Sequence, residues 1–284
     1  MIFIIAHYDH EGHLAQHIID HVRYISVFAK QVIFVSTHLK EEYTEVLAPY
    51  ASILIRPNIG YDFWSYKLGL ELIININEAN HIIMWNSSFV CFQPSQLYRR
   101  YFKHLNQDGM YGLSTCSAPL YHIQSYFFSF YGKSVINSPA FKNWWGNMTP
   151  ISDRNEVIRT YEVGMSQWFT HHQIALHETT KLSISDVLGI IPNYLDNIQL
   201  NRHWIKKLFK KSNLAGYKAL NITHFLWEKL FNEYSIIKIE LLVNNPTHQK
   251  IVKLKWLLND EQQALLKNAI GERNFKKHLV NEKI

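Results

Sequence analysis

The chain has 284 residues, 47% of them apolar, with 29 Lys and Arg against 23 Asp and Glu and a net charge of +6. This suits an ordered globular protein with a sizeable core and excludes a disordered or low-complexity chain. Apolar runs such as Met1–Ala6 and Phe89–Phe92 fall far short of the ~20 residues that cross a bilayer. The apolar start has no basic leader and meets His7 and Asp9 at once, so no signal peptide and a cytoplasmic location are expected.

Taken in order, Met1–Ala6 reads as a buried strand. Leu14, Ile18, Val22, Ile25 and Ala29 follow at helical spacing. "QVIFVST" and "ASILIRP" read as second and third strands, Tyr61–Ile74 as a helix, "HIIMW" as a fourth strand and "QPSQLYRRYFKHL" as a helix. Strands alternating with helices predict a mostly parallel, helix-covered α/β sheet, in which ligands gather at the carboxyl ends of the strands. "MYGLSTCSAPLYHIQSYFFSFYGK" reads as strand, loop and strand. "SDRNEVIRTYEVGMSQWFTHH" reads as a helix opened by Asp153, with Glu156 completing a capping box. "NITHFLWEKLFNEYSIIKIELLVNNP" predicts a helix and an extended stretch, and "NDEQQALLKNAIGER" a capped helix. The least committed join lies around 192–215. It divides an α/β domain, 1–195, expected to carry the ligand site, from a helical C-terminal region, 196–284.

Between Asn197 and Trp227 there is no acid, while Arg202, Lys206, Lys207, Lys210, Lys211 and Lys218 fall there. "HWIKKLFKKSNL" sets Trp204, Leu208 and Lys211 on one helical side, which fits either an anionic membrane surface or an ordinary solvated basic face. No nucleic-acid-binding motif accompanies the charge. Cys91 and Cys116, the only cysteines, make no CxxC and read as buried thiols.

The polar residues that follow the strands should share one rim. They are His7, Tyr8, Asp9 and His10; Ser36, Thr37 and His38; Arg56, Asn58, Gly60 and Asp62; and Asn86, Ser87 and Ser88. No GxGxxG follows the first strand and no GxxxxGK[ST] exists, which argues against a dinucleotide enzyme and a P-loop NTPase.

"HYDHEG", "RPNIGYDFWSYKLGL", "WNSSF", "YHIQSYFFSF", "VIRTYEVGMSQWF" and "THFLWEKL…IKIELLVNNP" occur in this order. They resemble the rhamnan synthesis protein F family, bacterial glycosyltransferase-like proteins of O-antigen, capsule and rhamnose-polymer assembly. The resemblance covers residues 1 to about 247. It implies a GT-A-like fold and a sugar-nucleotide-dependent transferase acting on a growing cell-surface glycan. In such folds acids at the end of the fourth strand hold a divalent metal on the donor diphosphate. The family pattern there is Asn-Asp-Ser, whereas this chain has Asn86-Ser87-Ser88. Neither side chain is a strong hard-cation ligand, so Mg²⁺ or Mn²⁺ is in doubt, and no other cofactor is expected.

With that resemblance in hand, the donor would lie among His7, Tyr8, Asp9, Arg56, Asn58, Gly60, Tyr61, Asn86, Ser87, Ser88 and Lys238. Arg56 offers a forked contact to phosphate, and Gly60 a close backbone approach at a helix start. The competing reading is a capped strand–helix turn with Arg56 on the surface. Glu162 and Asp62 are the catalytic candidates. Glu162 is expected to be a general base desolvated by Val157, Ile158, Tyr161 and Val163, or else an exposed acid paired with Arg159. Asp62 is expected to bind ribose or sugar hydroxyls. The acceptor would meet His122, Gln124, Ser125, Tyr126, His224 and Trp227, with the aromatics as sugar platforms or as ordinary core. The acceptor would be a lipid-linked glycan at the inner membrane face, where the basic segment would dock the protein peripherally. The rival expectation is a non-catalytic glycan-binding or scaffolding subunit of the assembly complex.

Overall fold

The computed structural model describes residues 1–181 except 118, residues 183, 185, 186, 188 and 189, and residues 221–279 except 248, 250 and 252. The basic segment with Trp204, Leu208 and Lys211, and the expected join at 192–215, lie outside the described residues.

Four strands form where the apolar runs predict them: β1 (Ile2–His7), β2 (Gln31–Ser36), β3 (Ser52–Ile55) and β4 (His81–Asn86). Helices α1 (Gln16–Ser26), α2 (Glu41–Leu47) and α3 (Tyr61–Glu71) fall between them. Then come β5 (Phe89–Cys91), α4 (Pro94–Phe102), β6 (Gly109–Gly112), β7 (Thr115–Cys116), β8 (His122–Ile123) and β9 (Phe127–Tyr131). After α5 (Lys133–Ile136) and α6 (Pro139–Gly146), one helical run holds α7 (Arg154–Val157), a π-helical turn (Ile158–Val163) and α8 (Gly164–His171). Strand β10 (Leu176–Glu178) follows, and the C-terminal part adds β11 (Ile236–Lys238) among short helices.

The main sheet has seven strands in the order β10-β6-β9-β4-β1-β2-β3. All neighbours pair parallel except at β9, which runs antiparallel to both β4 and β6. The expected mostly parallel α/β sheet is present. Strand order reverses at β1: β2 and β3 build outward on one side, while β4 returns on the other. A crevice at the carboxyl ends of β1 and β4 is the consequence, and it is where ligands of such sheets bind.

Alternation along β1 divides the core. Ile2, Ile4 and Ala6 pack with Phe63, Tyr66 and Leu70 of α3. Phe3 and Ile5 pack with Leu14, Ile18, Val22 and Ile25 of α1. Helix α3 lies very close to the sheet, since a Cβ on Gly69 would come within 2.4 Å of Ile4 Cγ2. That proximity fixes where α3 starts, and so where Gly60, Tyr61 and Asp62 stand.

A third apolar cluster joins Val90 and Phe92 to Trp227, Ile237, Leu241, Leu254 and Leu266. It seats β11 antiparallel on β5, with Lys238 opposite Phe89. The single long helix expected from "NITHFLWEKLF" is two, Ile222–Phe225 and Trp227–Tyr234. Near the C-terminus, Asn259 and Gln262 cap a helix reciprocally, as the sequence predicts. Among the described residues no helix is long and apolar enough to cross a membrane.

Candidate functional site

A cleft of about 520 Å³ opens at the reversal point. His7 and Tyr8 line it from β1, Asn86, Ser87 and Ser88 from β4, and Asn58, Gly60, Tyr61 and Asp62 from the β3–α3 corner. Thr37, Ile59 and Ser152 complete the wall. Every strand end named from the sequence therefore contributes, although Asp9, His10, Ser36 and His38 are not among the lining residues.

The corner after β3 is built around Arg56, which is only 5% exposed. Its Nε donates to Ser65 Oγ at 2.8 Å and its two terminal nitrogens to the carbonyls of Pro57 (2.7 Å), Ile59 (2.5 Å) and Tyr61 (2.6 Å). A guanidinium has five N–H donors, and four of them are committed here. This corrects the expectation of a phosphate fork: Arg56 lines the cleft but binds its own loop, because three consecutive odd-numbered carbonyls point at it. Ser65, three residues beyond Asp62 on α3, completes this grip; no sequence signal distinguished it from any other helical serine.

The chain turns through two left-handed residues, Gly60 (φ 72) and Tyr61 (φ 53). A Cβ at Gly60 would meet Trp64 Cβ at 2.5 Å and Pro150 Cβ at 3.0 Å. Tyr61 bears the strain of a bulky left-handed residue, and 43% of its surface stays exposed at the cleft. The first backbone bond of the helix runs from Trp64 N–H to Gly60 C=O at 3.2 Å. The N–H groups of Tyr61, Asp62 and Phe63 precede it and have no intrahelical acceptor, which leaves an anion-attracting helix start at the wall.

The end of β4 is a hydrogen-bonded knot. Asn86, 5% exposed, donates from Nδ2 to Asp62 Oδ2 at 2.6 Å. Its Oδ1 accepts from the Ser88 N–H at 3.1 Å and from the Ser88 hydroxyl. Lys238, delivered by β11, donates to Ser88 Oγ at 2.6 Å and lies 4.6 Å from the centre of the Tyr126 ring. Burial lowers Lys238 to about 8, against the raising pull of Glu162, Asp62 and Glu240. Burial raises Asp62, and Glu162 adds to this, while Lys238, the Asn86 hydrogen bond and Arg56 oppose it.

Glu162 stands on the π-helical turn, an irregularity often found at functional sites and invisible to a period of 3.6. Its Oε1 accepts from both the N–H (2.8 Å) and the hydroxyl (3.1 Å) of Ser125. Tyr66 donates to the Ser125 carbonyl at 3.0 Å. Asp153 caps α7 through the Glu156 N–H at 2.8 Å, as its spacing predicts.

Other expected contacts are not brought to the cleft. Asp9 accepts from the N–H groups of Glu11 and His13, both at 2.9 Å, and so shapes its own loop. Tyr126 is 3% exposed and Trp227 also 3%, so both are core and not sugar platforms. His122 is buried with Nδ1 donating to the Leu120 carbonyl at 2.8 Å. His224 is buried beside Glu240, at 3.6 Å. Gln124 bridges Ser114 and Asn221, and Ser125 is held by Glu162. The acceptor set is thus largely interior: His122, Tyr126, His224 and Trp227 are each 5% exposed or less, and Gln124 and Ser125 are half-buried in hydrogen bonds with their neighbours.

A hard divalent cation does not suit this donor set. Asn86 turns its N–H toward Asp62, its oxygen already has two donors, and an ammonium sits on Ser88. Among the described residues no group of three His, Cys, Asp or Glu is arranged to hold a metal ion.

Solved structures overlap the sheet only loosely. The TM-score is 0.36 with 4-diphosphocytidyl-2C-methyl-D-erythritol synthase of Anaerococcus prevotii, at 12% identity over 66% of this chain and 92% of that one. It is 0.40 with a protein described as a glucose-1-phosphate thymidylyltransferase of Bacillus anthracis, at 8% identity over 64% and 87%. Virulence protein VirA of Vibrio anguillarum is 28% identical over 234 residues, 76% of this chain and 72% of that one. The uncharacterized protein y4gN of Sinorhizobium fredii is 28% identical over 130 residues, 43% of this chain and 33% of that one. A family model described as rhamnan synthesis protein F matches residues 32–278. With that match running over most of its length, the chain belongs to the rhamnan synthesis protein F family.

Proposed function

We propose that the protein is a glycosyltransferase of surface-polysaccharide biosynthesis, moving a sugar from a nucleoside-diphosphate donor to an acceptor hydroxyl. Family membership supports the polysaccharide role. The transfer reaction rests on one observation: a single cleft joins an anion-attracting wall to a desolvated carboxylate. The wall is the start of α3 with Lys238 behind Ser88, and it suits a leaving diphosphate. The carboxylate is Asp62, whose Oδ1 has no partner among the described residues.

In this reading the acceptor oxygen attacks the anomeric carbon, the bond from that carbon to the diphosphate oxygen breaks, and the nucleoside diphosphate leaves. The acceptor proton passes to Asp62. Asp62 replaces Glu162 as the preferred base because it lines the cleft, whereas Glu162 is occupied in holding Ser125. Tyr8 and Tyr61, both half-exposed at the rim, are positioned for a sugar or base. A lipid-linked glycan acceptor and docking at a membrane surface extend the proposal without a described contact.

The experiment is a thermal-shift and calorimetric screen of UDP-, dTDP- and GDP-sugars, each with Mn²⁺ and with EDTA. Stabilisation by one nucleotide class, unchanged by chelator, is expected. No stabilisation by any of them refutes the transferase and favours a scaffolding role.

A further inference from the structure

Three hydrogen bonds at the end of β4 run in one direction, and their polarity follows from donor chemistry alone. An ammonium only donates, so Ser88 Oγ must accept from Lys238 Nζ, at 2.6 Å. The hydroxyl proton then turns to Asn86 Oδ1. The Ser88 backbone N–H, an obligate donor, meets the same Asn86 atom at 3.1 Å. That atom is therefore the oxygen, and the ambiguity of a carboxamide is removed. The Asn86 nitrogen is left facing Asp62 Oδ2 at 2.6 Å, where it can only donate.

We infer that Lys238, Ser88 and Asn86 form a polarised relay that positions Asp62, holding Oδ2 as an acceptor and keeping Oδ1 as the oxygen that takes a proton. The three are positioning residues, since none is required to touch the reacting atoms. The assignment of a base rests on the proposed transferase reading; the relay itself does not. Groups facing Asp62 come from several elements: Arg56 from the corner after β3, Glu162 from the π turn, Lys238 from β11 and the Tyr66 phenol from α3. The two cations favour the ionised carboxylate, and Glu162 opposes them.

The relay makes a claim that a bare electrostatic field does not. Removing the Ser88 hydroxyl leaves every charge in place and cuts the path from Lys238 to Asn86, while the Ser88 N–H still donates to Asn86 Oδ1 and keeps the carboxamide oriented. The test is the ¹³C-carboxyl titration of aspartate-labelled full-length protein, with the Asp62 signal assigned by its loss in Asp62→Asn. Wild type, Ser88→Ala, Ser88→Thr and Lys238→Met are compared. The Asn86 bond to Asp62 stays but loses its charge-driven support, so the Asp62 midpoint is expected to move upward in Ser88→Ala by a few tenths of a pH unit, less than the roughly one unit that losing a direct hydrogen bond would give. Lys238→Met moves it further, and Ser88→Thr, which keeps the hydroxyl, stays near wild type. Near-ultraviolet circular dichroism checks that each variant is folded. If Ser88→Ala titrates with wild type while Lys238→Met shifts, a field acts without a relay and the inference fails. It also fails if neither shifts. No substrate enters this measurement, so a failed nucleotide screen overturns the transferase and leaves the relay to be judged separately.

Discussion

Lowering the pH from 7.5 to 5.5 should destabilise this protein far more than its surface charges suggest, because four histidines are buried in neutral form. His7, His17, His21 and His81 are each less than 5% exposed. Burial depresses His7 to about 4 and the other three to about 3. Their surroundings favour neutral rings: His21 stacks on Trp85 at 4.3 Å and meets the Tyr98 hydroxyl at 2.7 Å, and His81 meets Ser129 Oγ at 3.0 Å. An unfolded histidine takes up its proton near pH 6.5. Below that pH the unfolded chain binds protons that the native chain refuses, so stability is intact above 6.5 and is lost as pH falls toward the native values. Each ring costs about 1 kcal/mol between pH 6.5 and 5.5, about 4 kcal/mol for the four, and about 5 kcal/mol more over the next unit. Total stabilities are typically 5–15 kcal/mol, so unfolding should set in between pH 5.5 and 4.5. Urea unfolding followed by tryptophan fluorescence at pH 7.5, 6.5 and 5.5 measures this directly. A free energy at pH 5.5 within 1 kcal/mol of that at 7.5 would show that the rings are hydrated or charged in the native state, and the argument would be wrong.

Replacing Asp62 with asparagine should reduce transfer by ~10²–10⁴ while calorimetry still records nucleotide binding; an active variant would return Glu162 to first place. Gly60→Ala forces a Cβ against Trp64 and Pro150 in a left-handed turn, and should cost about 1–2 kcal/mol in urea unfolding and weaken nucleotide binding. Trp227→Ala should lose about 3–5 kcal/mol, as a core cavity does, with little change in acceptor affinity if the enzyme is saturable. Diphosphate affinity should fall as pH rises through about 8, where the Lys238 ammonium is lost, and a flat calorimetric profile from pH 7 to 9 would remove Lys238 from the anion wall.

The sheet was legible because its strands are buried apolar runs of the right length, each closed by polar residues that cannot continue it. The location of the cleft followed from that alone, without knowledge of any contact. The role of Arg56 was not legible, since a sequence names a guanidinium but not the direction it takes. Nothing in "RPNIGYDF" announces that three carbonyls of the loop will converge on it. His122, Tyr126, His224 and Trp227 misled for a related reason: aromatic and imidazole groups serve sugar recognition and core packing equally well, and burial decides between them. All four are 5% exposed or less, which no spacing in the sequence announces. Lys238 was visible only as a lone cation, because its neighbour Ser88 is brought to it by strand pairing.

That pairing has a bearing on how the protein comes into being. Ser88 and Lys238 are 150 positions apart, and the antiparallel ladder between them is among the most non-local in the molecule. Such contacts form late, after shorter-range pairings have closed their loops. A ribosome-bound chain can therefore assemble β1 to β4 and their helices while still lacking the amine that completes the knot. The knot at the end of β4 thus gains its cation only once residues 236–238 have paired with β5.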